Sequence, residues 1–358
     1  MAREIRTEGA RQMDFFKFLD HITTVPGTSG YEAPAAGAFA RMFEDCCDEV
    51  SVDAMNSVVA VQRGNGGPKV MLCAHIDEVG LMTAGVEEDG SVRFISMGAA
   101  AQILPAQEVT ILSKEGPVYG VIGAPAPHLT DADERSKVTP AEELYIDTGL
   151  APDKVKALVP PGTPVQFTGR TTRLENDRVA SKTLDDRACA AILLACAEEL
   201  RRCRHDAEVI YVLSAREERD SLGALTASER LRPDMAFILD VTHGTMEGCS
   251  PRETLPLDTT SISCGPNTHE KLAQYLHEHA KRLGVKAATD VASGSTWTDA
   301  WEVQVACEGI PCVVMSLPIK YMHTTVELGS MELMRTQAHL LAQAVMNMEK
   351  GWEETLCY

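Results

Sequence analysis

Basic residues are the scarce charge class in this chain: 33 Lys and Arg stand against 52 Asp and Glu, a net charge of −19. Such a surface repels phosphate backbones and anionic bilayers, so neither nucleic acid nor a membrane is expected as a partner. Aromatic residues are also few, 5% with three tryptophans. That leaves little to stack on sugar rings and disfavours a glycosidase, whose two carboxylates flank a sugar cleft. No apolar run reaches the length of a membrane span, and the opening MAREIRTEGARQMDFF lacks the apolar core of a signal peptide. No two of the eleven cysteines form a CxxC pair, which removes the usual spacing of a zinc ribbon or a thioredoxin-like site. Odd in number and set in contexts such as VMLCAH and LLACAEE, they read as reduced thiols of a cytoplasmic protein. Adjacent Cys46 and Cys47 read as structural thiols on a helix.

What is present is an ordinary globular composition, 44% hydrophobic and 24% charged, over 358 residues. That length fits roughly two domains, or one domain carrying a large insertion. MDFFKFLDHITTV and YEAPAAGAFARMFEDC carry apolar residues at helical spacing around the breaker PGTSG, and PKVMLCAH reads as a buried strand. From about Val79 to Arg173 the texture is β-rich, with hairpin signals at Asp89-Gly90 and Glu115-Gly116. TPVQFTGR and RLENDRVAS continue it, and APAPHLTDADERSKVTPAEEL reads as a long loop. After Ser181 helices and strands alternate again, which implies a sheet with parallel members. The expectation is an α/β domain built from residues 1–78 and 174–358, interrupted by an all-β insertion over 79–173.

In open α/β sheets ligands bind beyond the carboxyl ends of the strands. VMLCA is followed there by His75-Ile76-Asp77-Glu78, and VIYVLSAR by Glu217-Glu218. MAFIL runs into Asp240 with His243 just beyond, CVVMSLPIKYM leads to His323, and Asp185-Asp186 precede an amphipathic helix. Each has a bland reading alone: a solvated turn, a satisfied histidine, acids favoured at a helix start. Together they form the imidazole and carboxylate set of zinc, cobalt or manganese. A two-metal hydrolytic site needs a bridging carboxylate, further ligands for each ion and a base, and these places supply enough groups. Asp77, two residues beyond His75, can also accept the other ring N–H of a ligating imidazole.

AHIDEVGLM, SKTLDDRACAAILL, SAREERDSLGA, LDVTHG, STWTDAWEV and LPIKYMHTTVEL resemble, in order, the motifs of the TET-type metalloaminopeptidases, also labelled glutamyl or deblocking aminopeptidases and cellulase M. The likeness covers nearly the whole chain, including VPGTSGYEAP and ELYIDTG. It implies a zinc-peptidase-like mixed sheet flanked by helices, with the β-rich insertion as a dimerisation domain and dimers joined into a hollow tetrahedral dodecamer. It implies two divalent ions per subunit, zinc or cobalt ahead of manganese. His75 would bind one ion, oriented by Asp77, and Asp185, joined to Asp186 by a cis peptide, would bridge both. Glu217 would be the base acting on a metal-bridging water. Glu218 and Asp240 would each ligate one ion, and His323 would complete the second set. Two departures stand out: Arg219-Asp220 where a small apolar pair is usual, and MHTT in place of MHS.

The implied activity is removal of N-terminal residues from short peptides. Its rivals are a carboxypeptidase or an N-acyl amino acid amidohydrolase with a similar dinuclear site, and a non-catalytic assembly subunit. The last predicts a missing ligand, and none is missing.

Overall fold

The computed structural model describes residues 13–129, 131 and 137–356. Residues 1–12, where most of the signal-peptide reading falls, and positions 130 and 132–136 of the long polar stretch lie outside the described residues.

The chain opens with two helices, α1 (Phe15–Ile22) and α2 (Ala33–Phe43). Asp14 caps α1 by accepting from the Lys17 amide, and Phe15, Phe18, Leu19 and Ile22 form its buried face. Strands β1 (Glu49–Val52), β2 (Val58–Gln62) and β3 (Lys69–His75) follow. Next come β4 (Gly80–Val86), β5 (Val92–Met97), β6 (Glu108–Ser113), β7 (Gly116–Gly123), β8 (Tyr145–Asp147), α3 (Pro152–Leu158) and β9 (Pro164–Phe167). Strands β4–β9 close into a barrel in the order β4-β5-β8-β7-β6-β9. Both glycine hairpins turn where the sequence placed them: Gly90 at φ 95° between β4 and β5, Gly116 at φ 124° as the first residue of β7, paired with Ser113 of β6. The barrel fills its interior with its own cluster, including Leu81, Phe94, Val109, Ile111, Ile146 and Val165.

The remaining elements are β10 (Thr172–Leu174), β11 (Arg178–Ser181), α4 (Leu184–Leu200), β12 (Glu208–Ser214), α5 (Leu222–Leu231) and β13 (Met235–His243). They continue with β14 (Thr260–Cys264), α6 (Glu270–Leu283), β15 (Ala287–Val291), α7 (Ala300–Val303), β16 (Cys312–Ile319), β17 (Glu327–Ser330) and α8 (Met331–Met346). RLENDRVAS, read as continuing the β insertion, forms β10 and β11 instead in a small sheet with β17, apart from the barrel.

The main sheet has eight strands in the order β1-β2-β12-β3-β13-β16-β14-β15. Its centre, β12-β3-β13-β16, is parallel. Central strands are apolar on both faces because both are covered. Val70, Leu72 and Ala74 of β3 and Val209, Tyr211 and Leu213 of β12 pack into the layer of α1, α2, α4, α6 and α8. Met71, Cys73, Ile210 and Val212 face α5 and α7. All ten described cysteines are free; Cys46 and Cys47 are buried, in the turn after α2 rather than on a helix. Among the described residues no helix is long and apolar enough to cross a membrane.

Candidate metal centre

The carboxyl ends of β3, β12 and β13, the start of α4 and the turn after β16 converge. Two groups of nitrogen and oxygen donors result, each with its ligand atoms within 4.8 Å of one another: His75, Asp185 and Asp240, and Asp185, Glu218 and His323. Asp185 is common to both. Its Oδ1 lies 3.1 Å from His75 Nε2 and its Oδ2 3.1 Å from His323 Nε2, so one carboxylate spans the two groups. The peptide joining Asp185 to Asp186 is cis, and the regular helix of α4 begins only after this pair. Asp186 turns the other way and accepts from the His75 amide at 3.2 Å.

His75 presents Nε2 to the site because its Nδ1 is engaged at the back, 3.2 Å from the Asp77 carbonyl oxygen and 3.4 Å from Asp77 Oδ1. The Asp77 carboxylate has a further task absent from the sequence reading. It accepts from the backbone amides of Glu217 at 3.0 Å and Glu218 at 3.2 Å, fixing the turn that carries both acids. From that turn Glu217 reaches to 3.8 Å from His75 Nε2, and Glu218 to 3.3 Å from His323 Nε2. The adjacent glutamates thus diverge to different groups. His243 is exposed at the end of β13 and belongs to neither group.

Burial governs the carboxylates Glu217 and Asp240, and neighbouring acids govern the imidazoles. Burial pushes Glu217 well above the usual carboxylate range, and Asp240 likewise. For His75 burial opposes protonation, but Asp185, Asp77 and Glu217 overcome it and raise the imidazole well above its ordinary value. Hydrogen bonds to Asp185 and Glu218 take His323 up to about 11. Sites that attract a proton this strongly also attract a divalent cation, and the two compete for the same Nε2 atoms. The donors fit such an ion: both groups combine imidazole nitrogen with carboxylate oxygen, their ligand atoms gathered within 4.8 Å of one another.

Three supporting residues escaped the sequence reading. Glu327 accepts from the amides of both His323 and Asp185. Asp299, in the TWTDA stretch, accepts from Ser214 and lies 3.4 Å from Cys73 Sγ behind β12 and β3, where burial raises it to about 6. Arg187 is fully buried and donates to the carbonyls of Ile22, Val25 and Ile76, tying the segment after α1 to the end of β3. A Cβ at Gly27 would lie 2.3 Å from that guanidinium, so only glycine fits there. The departures also have contacts. Arg219 donates to the Ser96 carbonyl of the barrel at 3.4 Å, and Thr325 lies 3.2 Å from Gln107.

A family model described as M42 glutamyl aminopeptidase matches residues 56–340. The lysyl aminopeptidase of Pyrococcus furiosus is 31% identical over 88% of this chain and 92% of its own. Among solved structures, a TET aminopeptidase from the marine sediment archaeon Thaumarchaeota archaeon SCGC AB-539-E09 superposes with a TM-score of 0.91 at 25% identity, covering 96% of this chain and 99% of that one. The TET1 peptidase of Pyrococcus horikoshii, described as assembling into a tetrahedron or a large octahedral shell, superposes with a TM-score of 0.83 at 26% identity, covering 93% of this chain and 100% of that one.

Proposed function

The chain belongs to the M42 glutamyl aminopeptidase family, and from that premise we propose that it is a dinuclear metalloaminopeptidase that removes N-terminal residues from short peptides. The observation that carries this reading is the sharing of Asp185 between two three-residue donor groups. His75 and Asp240 would hold one ion, Glu218 and His323 the other, with Asp185 serving both. Zinc or cobalt suits these donors best, with manganese also accommodated. Bound there, two such ions lower the pKa of a water and polarise the scissile carbonyl.

The protein's own groups do the rest. Glu217 takes the proton of the attacking water and returns it to the leaving amine. Burial raises its pKa, which makes it a stronger base than an exposed carboxylate. Asp77 holds Glu217 and Glu218 through their amides, so the base cannot drift from the second ligand. A free α-amino group on the substrate adds a positive charge that the surrounding carboxylates hold, which selects exopeptidase cleavage.

Purified protein loaded with zinc, cobalt or manganese is expected to hydrolyse aminoacyl-anilides and to leave their N-acetylated forms intact. Equal rates on both would end the aminopeptidase reading in favour of an amidohydrolase.

Residues 79–173 form the self-association unit in this proposal, and residues 1–78 with 174–358 the catalytic one. The shell-forming neighbour supports it, as does the barrel's outer wall, which exposes Ile95 (48%), Tyr119 (68%) and Val121 (49%). Native mass spectrometry should find dimers, or dodecamers built from them. An active monomer at every concentration would remove the assembly from the proposal.

A further inference from the structure

Glu327 opens β17 and is 2% exposed, beside the second donor group but outside it. Its two oxygens divide between two backbone amides: Oε1 accepts from His323 at 2.7 Å, Oε2 from Asp185 at 3.0 Å. The carboxylate therefore staples a residue four positions away to one 142 positions away. Its own backbone is fixed from two sides. Ser181 of β11 pairs with it, and its neighbour Leu328 exchanges both backbone hydrogen bonds with Lys320. His323 needs such an anchor, for it sits at φ 61°, in the left-handed region, within a turn whose Tyr321 also has φ 61°. A small backbone rotation there would swing the ring away from Asp185 and Glu218.

Asp77 grips the amides of Glu217 and Glu218 in the same manner. Both clamps act on backbone rather than on ligand atoms, so ligand direction is set by hydrogen bonds that leave the side chains free for metal.

We propose that Glu327 is a positioning residue that sets the affinity of the second metal position, Asp185–Glu218–His323, by holding the amides of Asp185 and His323. This inference rests on the two-metal reading above. Glu327→Gln preserves volume, but its amide nitrogen cannot accept, so one of the two backbone N–H groups loses its partner. His323 is the one that moves, since it sits in a half-exposed turn with two left-handed residues, whereas Asp185 is flanked by the fully buried Leu184 and Asp186.

The test is competition for zinc between the full-length protein and a chromophoric chelator, with circular dichroism and thermal midpoint recorded beside it. Wild type should hold two equivalents. In Glu327→Gln one equivalent should leave at about 10–100-fold lower chelator concentration while the other stays at its wild-type position. Glu327→Asp keeps two accepting oxygens on a shorter arm and should recover part of the difference. Should Glu327→Gln not fold, the split between the two equivalents in Glu327→Asp decides instead. A uniform weakening of both equivalents, or unchanged affinities with only a lower thermal midpoint, overturns the proposal and leaves Glu327 a structural brace. A wild-type protein that binds fewer than two equivalents defeats the two-metal reading itself, whatever the variants do.

Discussion

Glu217→Gln is expected to lose roughly 10²–10⁴-fold in kcat, the usual cost of removing general acid–base help, while both metal equivalents stay bound. The substitution keeps size and hydrogen bonding and removes only the ability to take a proton. Glu217 lies outside both donor groups, 3.8 Å from the nearest imidazole nitrogen, so the ions do not depend on its charge. Glu218→Gln is the control on the same turn. It strips a charged oxygen from the second group, so metal content should fall and excess metal should partly restore turnover. Metal analysis by inductively coupled plasma mass spectrometry beside turnover separates the two. If Glu217→Gln lost metal while Glu218→Gln kept both ions and only turnover collapsed, the roles would be reversed. Full activity in both variants would make the pair a solvated turn.

Asp185→Asn should do more damage, because no other residue belongs to both groups. Its carboxylate touches His75 Nε2 and His323 Nε2 at 3.1 Å each, so the two ions would lose a charged donor in one step. Two like charges held close together also need a negative charge between them to offset their repulsion. Both equivalents are therefore expected to be lost at ordinary metal concentrations, leaving less than about one hundredth of wild-type turnover. Asp240→Asn touches the first group alone and should release a single equivalent. Should Asp185→Asn retain two ions, the shared-carboxylate arrangement would be wrong, and with it the observation on which the functional reading stands.

Patterns of one or two residues were legible in the sequence; partnerships between distant backbone segments were not. The uninterrupted apolar runs of β3 and β12 mark strands covered on both faces, and Asp89-Gly90 and Glu115-Gly116 mark hairpins, because these signals are local. Imidazoles and carboxylates at strand ends and at a helix start stand out by residue type, but the family resemblance separated the seven candidates from neighbours such as Glu78, Asp186 and His243; the structure gathers five of the seven into the two donor groups, with Asp77 and Glu217 beside His75. Glu327 gave no such signal. It works by accepting from two amides, and neither Asp185 nor His323 advertises a need for an acceptor. Asp299 lies inside STWTDAWEV, yet its partners Ser214 and Cys73 are assembled only by the sheet order. β10 and β11 misled because alternation says that a segment is a strand, not which sheet it joins. β15 was overlooked because it forms the sheet edge and its exposed AATDV pattern lacks a buried face.

The strand order also dictates a timetable. The neighbours of β3 in the sheet are β12 and β13, and both lie downstream of the whole barrel in the chain. During synthesis, which runs from the N-terminus, β3 emerges carrying His75 and must wait with both edges unpaired. The barrel needs only Gly80–Phe167 and can close in the meantime. Once β12 is out it can pair with β2 and β3, yet the second donor group stays incomplete until His323 appears, close to the end of the chain. The segment order therefore allows the barrel to close before the chain carries both donor groups. Under the proposed function, a chain that stops short of His323 would lack the second donor group and with it the dinuclear activity.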